Sequence, residues 1–153
     1  MKGSQSPPVP PLLLRQIGGL HKQVYKECDR IFRELDFPLE MDQIPVLMLL
    51  YYHGSASQQE ICVSLHRDKA SVNRTVAFLA REDMAVVIQD AVDKRKTRVE
   101  LTATGKNLAK QANNVITAFD EGLVKTLSPE ERQQLHTLLN KLIETVNITH
   151  VNF

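Results

Sequence analysis

The sequence predicts a mainly α-helical fold with one small β-hairpin, and three observations predict it. Apolar residues recur at three- and four-residue steps over long stretches near both ends of the 153-residue chain. Between those stretches lie two short segments, each opened by a helix-capping residue. A β-branched run and an alternating run follow, separated by a polar turn crowded with cations.

The elements follow in order. Pro7, Pro8, Pro10 and Pro11 mark a flexible or polyproline-type tail over 1–11. Leu13, Ile17, Leu20, Val24, Cys28, Ile31 and Leu35 form the apolar stripe of a long amphipathic helix that ends before Pro38. A second helix begins near Asp42, read as its N-cap, with Pro45 tolerated in the first turn. It is apolar all round (Ile44, Val46, Leu47, Met48, Leu49, Leu50), as a buried central helix should be, and His53-Gly54 ends it. Ser57-Gln58-Gln59-Glu60 is a capping box that opens a short helix through Ile61 and Leu65. Asp68 caps the next, whose inner face is Val72, Val76 and Leu79.

Ala85-Val86-Val87-Ile88 and Thr97-Arg98-Val99-Glu100-Leu101 read as the two strands of the hairpin. Thr102 caps a helix carrying Leu108, Ala112, Val115, Ile116, Phe119 and Leu123. Ser128-Pro129-Glu130-Glu131 is a second capping box, launching a last helix with Leu135, Leu138, Leu139, Leu142, Ile143 and Val146. Two short helices followed by a hairpin make a winged helix-turn-helix. The expected organisation is a tail over 1–11, a dimerisation helix over 12–40 and a winged helix-turn-helix domain over 41–101. C-terminal dimerisation helices over 102–149 and a tail over 150–153 complete it.

Composition narrows the function. The net charge of +1 is no global signature of a polyanionic partner. Between His66 and Arg98, however, eight cations face five anions, and screening makes that local excess the relevant quantity. No dinucleotide fingerprint, phosphate-binding loop, nucleophile elbow or zinc-protease motif is present, so no enzyme, catalytic residue or cofactor is expected. Two cysteines make no disulfide framework, and Cys62 with His66 lacks the further pair a structural zinc wants, so no metal is expected. The N-terminus lacks the apolar core of a signal peptide, and the apolar run Ile44–Tyr52 is too short to span a bilayer. A cytoplasmic protein with no membrane contact is the expectation.

The outward positions of the helix after Asp68 carry chemistry suited to a DNA major groove. Lys69, Ser71, Asn73 and Arg74 can bond phosphates or base edges, Arg matching guanine and Asn adenine. At the hairpin tip Lys94, Arg95, Lys96 and Arg98 place four cations in five positions, a density that a nearby polyanion relieves. Arg is also favoured in a narrow minor groove. Both terminal helices are strongly apolar without evident cover, which argues for a homodimer reading a palindromic site in double-stranded DNA.

From about Asp42 to Leu142 the sequence resembles the MarR family of bacterial winged-helix regulators. The resemblance is most specific at Asp93-Lys94-Arg95-Lys96-Thr97-Arg98, the family's D-x-R-x-x-R, and at Leu101-Thr102-Ala103-Thr104-Gly105, its L-T-x-x-G. It implies a homodimeric repressor built on the first and last two helices, with Arg95 entering the minor groove and Asp93 and Arg98 bracing the wing. It further implies a candidate pocket for a small aromatic or anionic effector at Tyr51, Tyr52 and His53. Two departures stand out: Asp83 replaces the usual Gly after the recognition helix, and Val87 and Ile88 replace Arg on the strand entering the wing. Two other readings stay open: a winged-helix protein-interaction module that does not bind DNA, and a repressor that senses oxidants through Cys28.

Overall fold

The computed structural model describes residues 12–149; the two tails expected from sequence lie outside them. The order is α1 (Leu13–Glu34), α2 (Ile44–His53), β1 (Ser55–Ala56), α3 (Gln58–Leu65), α4 (Lys69–Arg81), β2 (Ala85–Gln89), β3 (Thr97–Leu101), α5 (Ala103–Leu123) and α6 (Pro129–Thr149). The chain divides into two compact units, one ending at Ala112 within α5 and one beginning at Asn113.

The core of the first unit is built around α2. Ile44, Val46, Leu47, Met48, Leu49 and Leu50 are all buried, as a helix apolar on every side requires. Around it pack Ile61 of α3, Val72, Val76 and Leu79 of α4, and Val99 and Leu101 of β3. Asp42 is not the N-cap of α2. Gln43 takes that place without a side-chain cap, and its Oε1 accepts from the Glu40 amide at 2.9 Å. Asp42 is drawn elsewhere: its carbonyl oxygen accepts from Arg67, whose guanidinium also lies 3.7 Å from the Asp42 carboxylate.

The other caps expected within this unit form. The Ser57 amide donates to Glu60 Oε2 at 2.6 Å, and the Glu60 amide donates to Ser57 Oγ at 3.2 Å. The Ser71 amide donates to Asp68 Oδ1 at 2.8 Å. Between α3 and α4, His66 is left-handed at φ 51°, which turns the chain within three residues.

The sheet has three strands, not two, in the order β1-β3-β2. Both pairings are antiparallel, with Ala56 opposite Val99 and Gln89 opposite Thr97. β1 is two residues long, too short to show any alternation in sequence.

The turn after α4 and the start of α5 are bolted together. Asp83 is left-handed at φ 55°, so it supplies the backbone that a glycine at this position would favour. Its carbonyl oxygen accepts from Thr102 Oγ1 at 2.6 Å, and that hydroxyl in turn accepts from the Gly105 amide at 3.1 Å. The Thr102 amide donates to Met84 O at 3.1 Å. A Cβ on Gly105 would lie 1.9 Å from Met84 O. This contact is the physical content of the Leu101–Gly105 motif: Leu101 is buried, Thr102 caps, and residue 105 must have no side chain.

α1 is buried only at Phe32, whose ring lies 5.0 Å from that of Phe37. Leu13, Leu14, Ile17, Leu20 and Leu35 are exposed. In the second unit the Ser128 box caps α6, with the Glu131 amide donating to Ser128 Oγ at 3.2 Å and the Ser128 amide to Glu131 Oε2 at 2.8 Å. Leu135, Leu138, Leu139, Leu142 and Ile143 of α6 are exposed. No described helix is long and apolar enough to cross a membrane.

Candidate nucleic-acid interface

α4 presents Lys69, Asn73 and Arg74 outward, with Ala70 and Ala77 also exposed beside them. The face follows from the buried triad Val72, Val76 and Leu79, which pins the opposite side of the helix to the core. Asp68 sits at the N-terminus, and the Ser71 amide donating to its carboxylate holds that group below its ordinary range. Ser71 is half-buried, and its hydroxyl accepts from Arg67 Nη2. Arg67 thereby joins the first turn of α4 to the approach to α2. It was not a candidate from sequence, because nothing local shows a partner 25 residues away.

The wing turn is organised by two carboxylates. Asp90 Oδ1 accepts from the amides of Val92 at 2.9 Å and Asp93 at 3.0 Å, bonds that hold the Asp90 carboxyl below its ordinary range. Asp93 Oδ1 accepts from the Arg95 amide at 3.1 Å and pairs with Arg95 Nε at 3.2 Å. The Arg95 side chain is nonetheless 90% exposed, so the tip is ordered at its backbone while its guanidinium stays in solvent. Lys94 and Lys96 are exposed on either side.

Arg98 fastens the wing to the helices. Its Nε donates to Ser55 Oγ and its Nη2 to Ser55 O, both at 2.9 Å, while Nη1 lies 3.2 Å from Glu60 and 3.8 Å from Asp90. One guanidinium thus ties β3 to β1, to the cap of α3 and to the wing turn. Asp93 acts within the turn, and the acids that meet Arg98 are Asp90 and Glu60. Asp90 had a readable signal, since Asp opening a polar turn commonly caps it; Ser55 and Glu60 had none. Arg98→Met keeps the aliphatic stem and removes these bonds. It is expected to cost about 2 kcal/mol, the usual scale for bonds to a part-buried charged group. Hydrogen exchange at the 85–101 amides, with melting temperature as the check, measures it; unchanged protection would refute the brace.

The structure brings Lys69, Arg95 and Lys96, from two separate segments, around one groove of about 760 Å³ that also contacts Gln58, Gln59 and Thr97. Ser71 and Arg74 lie on a second groove, along the other flank of α4. Neither groove includes Tyr51, Tyr52 or His53. Those residues end α2, where the two tyrosine rings meet edge-on with centroids 5.5 Å apart. Cys28 is half-buried, and burial followed by the charge of Glu27 pushes its thiol up, away from a reactive thiolate. Among the described residues no group of three or more His, Cys, Asp or Glu could hold a metal ion.

The chain matches the MarR family over residues 39–97, a span covering α2, the helix-turn-helix, β2 and the wing turn up to the first residue of β3. It is 29% identical over 132 residues to the transcriptional repressor NicR of Pseudomonas putida, covering 85% of this chain and 84% of that protein. It superposes on a MarR/EmrR family regulator from Acinetobacter with a TM-score of 0.79 at 27% identity, covering 88% of this chain and 94% of the other. A third similar structure concerns BpsR of Bordetella bronchiseptica and the regulation of its DNA binding by 6-hydroxynicotinic acid. Its TM-score is 0.67 at 27% identity, covering 83% of this chain and 98% of that one. The winged helix, the two motifs flanking β3 and these matches agree: most of the chain is similar to transcriptional regulators, and residues 39–97 match the MarR family.

Proposed function

We propose that this protein is a homodimeric repressor that binds a palindromic operator through α4 and the wing and releases it on binding a small aromatic acid. The observation that carries the DNA reading is the convergence of Lys69, Arg95 and Lys96 on one groove, beside a helix whose outer face offers Asn73 and Arg74. Phosphate binding needs local cations, and this surface supplies them on a chain that is nearly neutral overall. The exposed leucines of α1 and of α6 support dimerisation. Leaving such surface in water forgoes roughly 25 cal/mol per Å², and a second copy can cover it. A two-fold pair of α4 helices would then meet half-sites about 34 Å apart.

The effector reading rests on the aromatic pair Tyr51 and Tyr52 with His53, and on BpsR, a similar protein whose DNA binding is regulated by a hydroxylated aromatic acid. Repression follows NicR, the similar protein described as a repressor. Fluorescence anisotropy on a random duplex is the first test. Affinity is expected to fall steeply and linearly in log K against log salt, with a slope set by the phosphates neutralised. A folded protein showing no salt-dependent binding would instead be an interaction module. Sedimentation in the same buffer should give twice the 17.3 kDa chain mass.

A further inference from the structure

We infer that the second groove, along the flank of α4 away from the wing, seats a second DNA phosphodiester strand, with Arg81 as the residue that grips it; this rests on the DNA-binding reading above. The groove has a volume of about 480 Å³ and is lined by Asp42, Gln43, Ser71, Arg74, Phe78 and Arg81, among others. On a helix of 3.6 residues per turn, Ala70, Arg74, Ala77 and Arg81 fall within a stripe about 60° wide. All four are exposed. The two alanines let a duplex approach the helix closely, and the two arginines then stand about 10 Å apart along its axis.

That separation suits an extended polyanion better than a single small carboxylate, around which cations would converge. A helix lying in the major groove has a phosphate strand along each side. One flank of α4 already faces the groove lined by its own Lys69 and by Arg95 and Lys96 of the wing turn. The other carries Arg74 and Arg81, and the acid that shares their groove, Asp42, is engaged by Arg67.

Arg81 is also held in a suitable pose. Its guanidinium lies 5.2 Å from the centroid of the Phe78 ring, and its Nε is 3.0 Å from Glu82 Oε1. Stacking fixes the plane of the guanidinium while its edge remains available for hydrogen bonding. The side chain is 70% exposed, so the pair with Glu82 is a weak competitor that a phosphate can displace. Arg81 also complements the C-terminal dipole of α4, a role that moves the melting temperature and not the salt slope.

The test measures anisotropy of a random duplex across a salt series for the full chain and for Arg81→Ala, Arg81→Lys and Glu82→Gln. Arg81→Ala is expected to reduce the log K against log salt slope by about one unit and to weaken binding about tenfold at physiological salt. Arg81→Lys should keep the slope. Glu82→Gln should tighten binding, and do so less when combined with Arg81→Ala. A steep wild-type slope that Arg81→Ala leaves unchanged overturns the inference while sparing the DNA-binding reading. A wild type without salt-dependent binding overturns that reading itself. Inorganic phosphate at constant ionic strength separates the two sources of anion. If it binds the wild type and not Arg81→Ala, yet displaces no duplex from either, the groove is a small-anion site and the inference fails.

Discussion

Gly105→Ala is expected to destabilise the protein by about 3 kcal/mol, lowering the melting temperature by roughly 10 °C. The sign is the informative part. A glycine in a helix ordinarily gains about 0.5–1 kcal/mol on replacement by alanine, because the unfolded chain loses freedom and the helix loses a poor former. At Gly105 the new Cβ would sit 1.9 Å from a backbone carbonyl oxygen, that of Met84, which cannot rotate away as a side chain could. Relief requires α5 to move off the 82–84 turn. That movement pulls on the Thr102 hydroxyl, which bonds Asp83 O and the Gly105 amide together. Gly122, in the same helix, has nothing within 4 Å of the position of its missing Cβ, so Gly122→Ala is the control and should not destabilise. Paired thermal melts decide it. Equal behaviour of the two variants would mean that α5 and the turn are not closely apposed.

The reason this latch matters lies in what it joins. Asp83 and Met84 immediately follow α4, and Thr102 and Gly105 begin α5. The last turn of α4 is therefore tied directly to the first turn of α5, with the wing looping out between them. The motif was legible in sequence, but its cause was not. A requirement for glycine can come from a positive φ or from a close approach, and only coordinates distinguish them; here it is the approach.

The same division holds across the molecule. Helices with long apolar stripes and explicit caps were readable, because periodicity and capping are local: Ser57, Asp68, Thr102 and Ser128 all cap where expected. The cap at Asp42 was misplaced because its partner Arg67 is distant in sequence and competes for it. β1 was missed because two residues carry no alternation. In the candidate site, the cations were legible as a charge run, whereas the partners that position them were not. Arg98 reaches Ser55 across 43 residues, and no pattern within a strand announces such a bond. Charge can thus be read from sequence, but the scaffold that aims it cannot.

Arg95→Ala is expected to weaken operator binding at least tenfold and to reduce the magnitude of the salt slope by about one unit. Two features make this residue the sharpest probe. Its backbone is held by Asp93, through the 3.1 Å bond from the Arg95 amide, in a turn that Asp90 caps in turn. Its side chain is 90% exposed, so the pair with Asp93 contributes little to stability, and alanine should leave the melting temperature nearly unchanged. A large loss of affinity without loss of stability is what a minor-groove probe predicts and a structural residue does not. Arg95→Lys separates charge from shape. Lysine keeps the cation, and with it most of the salt slope, but not the weakly hydrated guanidinium plane that enters a narrow minor groove. It should therefore recover the slope while recovering affinity only in part, most incompletely on operators with A·T steps at the wing contact. If Arg95→Ala binds the operator as the wild type does, the wing does not read the minor groove, and the cations of the α4 flanks must carry recognition alone.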